Sequence, residues 1–128
     1  MVIAAHEQRL ALAPDLSAVR TARSFLRSCC ADLALPEQLV GTAALLTSEL
    51  VSNAVRHAGS GARLTVTSLP GGVRVEVADT SPVRPTASMP APEADHGRGL
   101  MFVDLMATRW GVREDEPGKV VWFELVAG

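Results

Sequence analysis

The sequence predicts an α+β fold: a two-layer sandwich whose mixed, mostly antiparallel sheet is covered on one face by helices. Two stretches of helical periodicity follow one another before residue 58. Two alternating stretches, "RLTVTSL" and "VRVEVAD", then flank "PGG", which is a hairpin signal. The length of 128 residues fits one domain, residues 1–128, with one core.

Each element has a local reason. "EQRLALAP" alternates weakly and reads as a first strand. Asp15 or Ser17 caps the next helix, where Leu16, Val19, Ala22, Phe25 and Leu26 recur at helical spacing up to about Leu33. Pro36 opens a second helix in its first turn. Leu39, Ala43, Leu46, Leu50 and Ala54 keep its 3.6-residue period, and the glycines of "HAGSGA" stop it. After the hairpin comes "TSPVRPTASMPAPEADHGRG", rich in Pro, Ser and Ala. An unstructured stretch of that length in a small domain is usually functional. "LMFVDLMA" reads as a third helix, and "TRWGVRED" and "KVVWFELV" as two last strands around "EPG". The expected order is β-α-α-β-β-loop-α-β-β.

Composition excludes several classes. With 48% hydrophobic and 20% charged residues the chain is globular rather than disordered. A net charge of −2 without a basic block argues against sequence-independent nucleic-acid binding. Glu49 and Asn53 interrupt the longest apolar helix, which argues against a bilayer span. "MVIAAHEQRL" lacks the pattern of a secretory signal, so a cytoplasmic location is expected. Cys29 and Cys30 are adjacent, without a CxxC, and read as buried helix thiols. His6, His57 and His96 have no metal-ligand spacing, so no zinc site is expected.

A few polar residues stand out against this background. Glu49 and Asn53 are i and i+4 on one helix face, in a stripe with Thr42 and Arg56. Such a stripe can be merely solvated. An Asn carbonyl is also a suitable oxygen ligand for Mg²⁺, and a Glu one turn earlier could position a nucleophile for phosphoryl transfer. Asp79 ends an alternating strand, where it either forms an Asx-turn or accepts hydrogen bonds from an amino group such as that of adenine. Gly97 and Gly99 flank Arg98 and precede Leu100 at a predicted helix start, a place suited to a plain cap, a hinge or a phosphate. There is no GxxxxGK[ST] and no GxSxG.

Taken in order, these signals resemble the nucleotide-binding core of the gyrase and histidine-kinase-like ATPases. "SELVSNAVRHA" is similar to that family's N box, "VEVADTSP" to its first Gly box and "HGRGLMFVDLMA" to its second. The short chain with "LALAPDLSAVRTARSFLRSCC" at its start further resembles the anti-sigma-factor serine/threonine kinases, over about residues 8 to 126. The resemblance implies the histidine kinase-like ATPase fold, with ATP and Mg²⁺ as cofactors. It implies Glu49 as general base, Asn53 as magnesium ligand and Asp79 as adenine contact. Gly97, Arg98, Gly99 and Leu100 would lie along the triphosphate, and residues 81–96 would form a lid over ATP. His57 reads as a structural residue, or as one behind or at the rim of the site. The implied partners are a sigma factor and an anti-anti-sigma protein phosphorylated on serine, with no nucleic acid and no membrane. Exposed sheet edges suit a homodimer.

One departure bears on activity. The family's first Gly box usually reads Asp-x-Gly-x-Gly, whereas here Asp79 is followed by Thr80, Ser81, Pro82 and Val83. Proline fixes φ and removes a donor. The rival readings are a non-catalytic interaction module of the same fold, the catalytic domain of a two-component histidine kinase, and a ligand-free scaffold. The second lacks a helical dimerisation segment with a phosphoacceptor histidine, and the third leaves the polar stripe unexplained.

Overall fold

The computed structural model describes residues 6–58, 61–80, 98–115 and 118–127. Eight elements appear in the expected order: β1 (Glu7–Leu12), α1 (Ser17–Ala31), α2 (Glu37–Ala58), β2 (Ala62–Leu69), β3 (Gly72–Asp79), α3 (Arg98–Met106), β4 (Arg109–Asp115) and β5 (Gly118–Val126). The strands form one sheet in the order β1-β2-β3-β5-β4. All four pairings are antiparallel, so the mixed sheet expected from sequence resolves to an antiparallel one among the described residues.

Local chemistry accounts for the element ends. The Asp15 carboxylate accepts hydrogen bonds from the Ser17 backbone N–H and hydroxyl, and these bonds lower its pKa. The helix stops at Ala31, two residues before the expected Leu33, and Ala34 has a positive φ of 54°. Pro36 lies just outside α2, where its carbonyl accepts from the N–H groups of Leu39 and Val40. It therefore serves as the cap of that helix rather than its first residue. In the β2–β3 hairpin Leu69 pairs with Gly72, and Gly71 takes the left-handed φ of +72° that the tight turn requires.

One face of the sheet carries the core. Leu64 and Val66 of β2, Val73, Val75 and Val77 of β3, and Val121, Phe123 and Leu125 of β5 are all buried at period two. Leu26 of α1, Leu46, Leu50 and Val51 of α2, and Leu100 and Val103 of α3 complete the cluster. Cys29 and Cys30 are buried free thiols of the same core. Burial raises the Cys29 pKa and pushes that of Cys30 to about 11, so both stay protonated and inert near neutral pH. The opposite face carries Arg74, Glu76, Arg109, Arg113 and Glu124, linked by ion pairs, and Trp122, whose ring lies against the Arg74 guanidinium.

Candidate functional site

Connectivity brings the C-terminal end of α2, the end of β3 and the start of α3 to one end of the sheet. The C-terminus of α2, at Ala58, is followed at Ala62 by the start of β2. The β2–β3 register, which pairs Arg63 with Ala78, sets Ala62 beside Asp79. Asp79 in turn pairs with Lys119 of β5. So the end of α2 and the last residue of β3 share one edge of the fold. α3 leads into β4 at the opposite end, where the Thr108 N–H donates to the Glu124 carbonyl at 2.8 Å. Nine residues of helix span about 14 Å, which brings the start of α3 back toward the Asp79 end. α2 packs on both β3 and α3.

Glu49 and Asn53 are half-buried on the C-terminal half of α2. They flank the side of the helix that buries Leu46 and Leu50, because residues three and four apart are neighbours on a helix surface. Arg98 and Gly99 open α3. The Leu100 side chain is buried at 2% exposure in the core, so it anchors the first turn of α3 from within. Gly97 and the lid segment, residues 81–96, lie outside the described residues.

Asp79 is in phase with Val73, Val75 and Val77, so its carboxylate is on the helix-covered face. Its side chain is 3% exposed and that of Lys119 8% exposed. The Lys119 ammonium donates to Oδ1 at 3.0 Å and to Oδ2 at 3.1 Å. Gly118 makes this fit possible. A Cβ there would fall 1.8 Å from the Asp79 carbonyl oxygen and 2.6 Å from the Thr80 Cα. Sequence reasoning missed both residues. A signal existed: Lys119 is the only lysine in the chain, and it is in phase with the apolar Val121, Phe123 and Leu125.

Polar groups of several kinds stand at this end of the sheet. They are a carboxylate buried against Lys119 at a strand end, a helix face with an amide and a carboxylate, and the start of a helix, a place whose N–H groups favour anions. The family model for the histidine kinase-like ATPase domain matches residues 12–125. The chain belongs to the histidine kinase-like ATPase domain family. An uncharacterized protein of Streptomyces coelicolor is 42% identical over 72 residues, which cover 52% of this chain and 69% of that protein. Among solved structures, the crystal structure of the RsbU and RsbW domains of a Mycobacterium tuberculosis protein superposes with a TM-score of 0.73 at 19% identity. That match covers 94% of this chain and 32% of the other. At such identity the likeness is one of fold. Among the described residues no helix is long and apolar enough to cross a membrane.

Proposed function

We propose that this chain is an ATP-binding regulatory protein of the anti-sigma-factor serine/threonine kinase type. The reading is supported by the placing of the C-terminal end of α2, the end of β3 and the start of α3 at one end of the sheet, in a member of the histidine kinase-like ATPase family. Asp79 accepts a hydrogen bond from the adenine amino group. Asn53 holds Mg²⁺. Among the described residues no group of three His, Cys, Asp or Glu stands ready to hold a metal. Bound there, Mg²⁺ would meet waters and the phosphates besides Asn53, as suits that ion. Bound ATP supplies the phosphoryl group, and Glu49 takes the proton of the attacking serine hydroxyl. Arg98 and Gly99 approach the triphosphate, while Gly97 and the lid expected at residues 81–96 lie outside the described residues. The partners are a sigma factor and an anti-anti-sigma protein in the cytoplasm, and the chain acts as a homodimer.

The test is radiolabel transfer from ATP to a cognate serine protein, with ATP affinity measured in parallel by calorimetry. Glu49→Gln keeps the size of the side chain but removes its ability to take a proton. Transfer should fall by ~10²–10⁴-fold, with ATP affinity little changed. Equal transfer by both proteins would remove Glu49 from the mechanism. A second reading is favoured by Ser81, Pro82 and Val83, which stand where glycines are usual: a module of the same fold that acts by partner contact without catalysis. Absence of transfer by the wild type to a tightly bound partner would select it.

A further inference from the structure

The strand order β1-β2-β3-β5-β4 leaves β1 at an edge, with no second neighbour among the described residues. Backbone groups on such an edge alternate in direction. The His6 carbonyl accepts from the Ser68 N–H, and the register sets Gln8 opposite Val66 and Leu10 opposite Leu64. His6, Gln8 and Leu10 therefore turn their N–H and C=O groups toward β2, and Glu7, Arg9 and Ala11 turn theirs outward. An edge of this kind is a template for one more strand. Glu7, Gln8 and Arg9 are all exposed. Nε and Nη2 of Arg9 both reach Oε1 of Glu7, which leaves Oε2 for a second guanidinium.

We propose that β1 pairs antiparallel with β1 of a second copy of this chain, about a two-fold axis at Gln8, so that Glu7 of each copy lies opposite Arg9 of the other. The proposal rests on the reading of the chain as a homodimer and names its surface. Charge selects the register. In an antiparallel pair, residues with outward backbone groups must lie opposite one another. An axis at Glu7 or at Arg9 sets like charges face to face, which is destabilising. An axis at Leu10 sets Arg9 against Ala11 and leaves both charges unopposed. The axis at Gln8 opposes a carboxylate and a guanidinium twice. The helix layer suits the same edge. α1 packs on β1 and β2, and its Arg27 bridges to Glu37 of α2, so the flank with Arg20, Arg23 and Arg27 turns toward α2. The other flank carries Ser17, Thr21, Ser24 and Ser28, all small and exposed. It looks past β1, where joining two edges sets the two copies of α1 side by side. The distance between packed helices depends on the side chains at the contact, and small ones let the strands meet.

The experiment is sedimentation of the full chain, with disulfide trapping. Residues opposite each other without mutual hydrogen bonds have Cα atoms about 4.5 Å apart, within the range a disulfide spans. Gln8→Cys should therefore cross-link two copies under mild oxidation, while Arg113→Cys on the far edge strand should not. Glu7→Arg and Arg9→Glu, each alone, should weaken association by about tenfold or more, and the double swap should restore it. A Gln8→Cys that stays uncross-linked, an Arg113→Cys that cross-links equally well, or a double swap no more dimeric than the single variants would overturn the proposal. A wild type that sediments as a monomer overturns the homodimer reading with it. A dimer that fails the trapping or the swap rejects only this surface, and ATP binding is independent of either result.

Discussion

β3 and β5 carry two charged clusters on opposite faces, and they are built differently. On the open face Arg74, Glu124 and Arg109 lie in one row across three strands. Glu124 accepts from the Arg74 Nη1 at 2.8 Å and from the Arg109 Nη2 at 2.7 Å. The Arg74 guanidinium also lies 4.2 Å from the centroid of the Trp122 ring. On the core face, five positions along, Asp79 meets Lys119 beside the helices. The Glu124 cluster spreads its charge over several partners, and Arg109 is 71% exposed. The Asp79 pair sits at the last residue of its strand, against the elements that gather the other singled-out residues. The first arrangement is a brace for the sheet. The second places a carboxylate at the edge of the proposed ligand site.

The sharpest way to break the comparison is to disturb the core-face end through its backbone. Gly118→Ala puts a methyl group onto the Asp79 carbonyl, and β3 or β5 must shift to admit it. Overpacking of this kind costs about 1–3 kcal/mol, and the Asp79–Lys119 geometry shifts with the strands. The melting temperature should fall and ATP affinity should drop by more than tenfold. Undiminished ATP affinity in a destabilised Gly118→Ala would separate Asp79 from the ligand site.

The brace should respond in the opposite sense. Glu124→Gln keeps the shape but weakens three charge-assisted bonds, a loss of about 1–2 kcal/mol in chemical denaturation. Nucleotide affinity should not move, because the cluster faces away from the helices. Hydrogen bonding to Arg109 lowers the Glu124 pKa below its ordinary 4.5, and Arg74 adds to this against the opposing effect of burial. A lowered folded-state pKa means that the stabilisation is fully present above the unfolded value and is lost as pH falls through the folded value. The gap between wild type and Glu124→Gln should therefore hold at neutral pH and close below about pH 4.5. A gap that persisted at lower pH would show that the variant loses packing rather than charge.

The contrast also marks what the sequence could reveal. All eight elements were legible, because period 3.6 in Leu39–Ala54 and period two in Val73–Val77 follow from burying one face. Pro36 and Asp15 were legible as helix punctuation, with Pro36 shifted one residue outward. Glu49, Asn53 and Asp79 stood out as polar residues where apolar ones were expected. The adjacency of β3 and β5 was not legible, because it skips β4 in the strand order. With it went the Asp79–Lys119 pairing, which joins residues 40 apart. A lysine next to a glycine after a turn reads as a solvated strand end. Only the register turns it inward.

A third buried polar group tests whether burial alone makes a residue functional. Thr47 is 0% exposed on α2, and among the described residues its Oγ1 has no hydrogen-bond partner. It is uncharged and lies on the buried side of α2, two residues before Glu49, and the proposed site gives it no role. Thr47→Val keeps the branched shape and replaces the stranded hydroxyl with a methyl group. An unpaired buried hydroxyl is costly, so the variant should be unchanged or more stable by up to about 1 kcal/mol. ATP affinity should be unaltered. Urea denaturation of the two proteins measures the first point and calorimetry the second. A loss of stability would mean that the hydroxyl is paired, by water or by the segment between Thr80 and Arg98. A loss of ATP affinity without a loss of stability would extend the ligand site along α2 and blur the line drawn between brace and pocket.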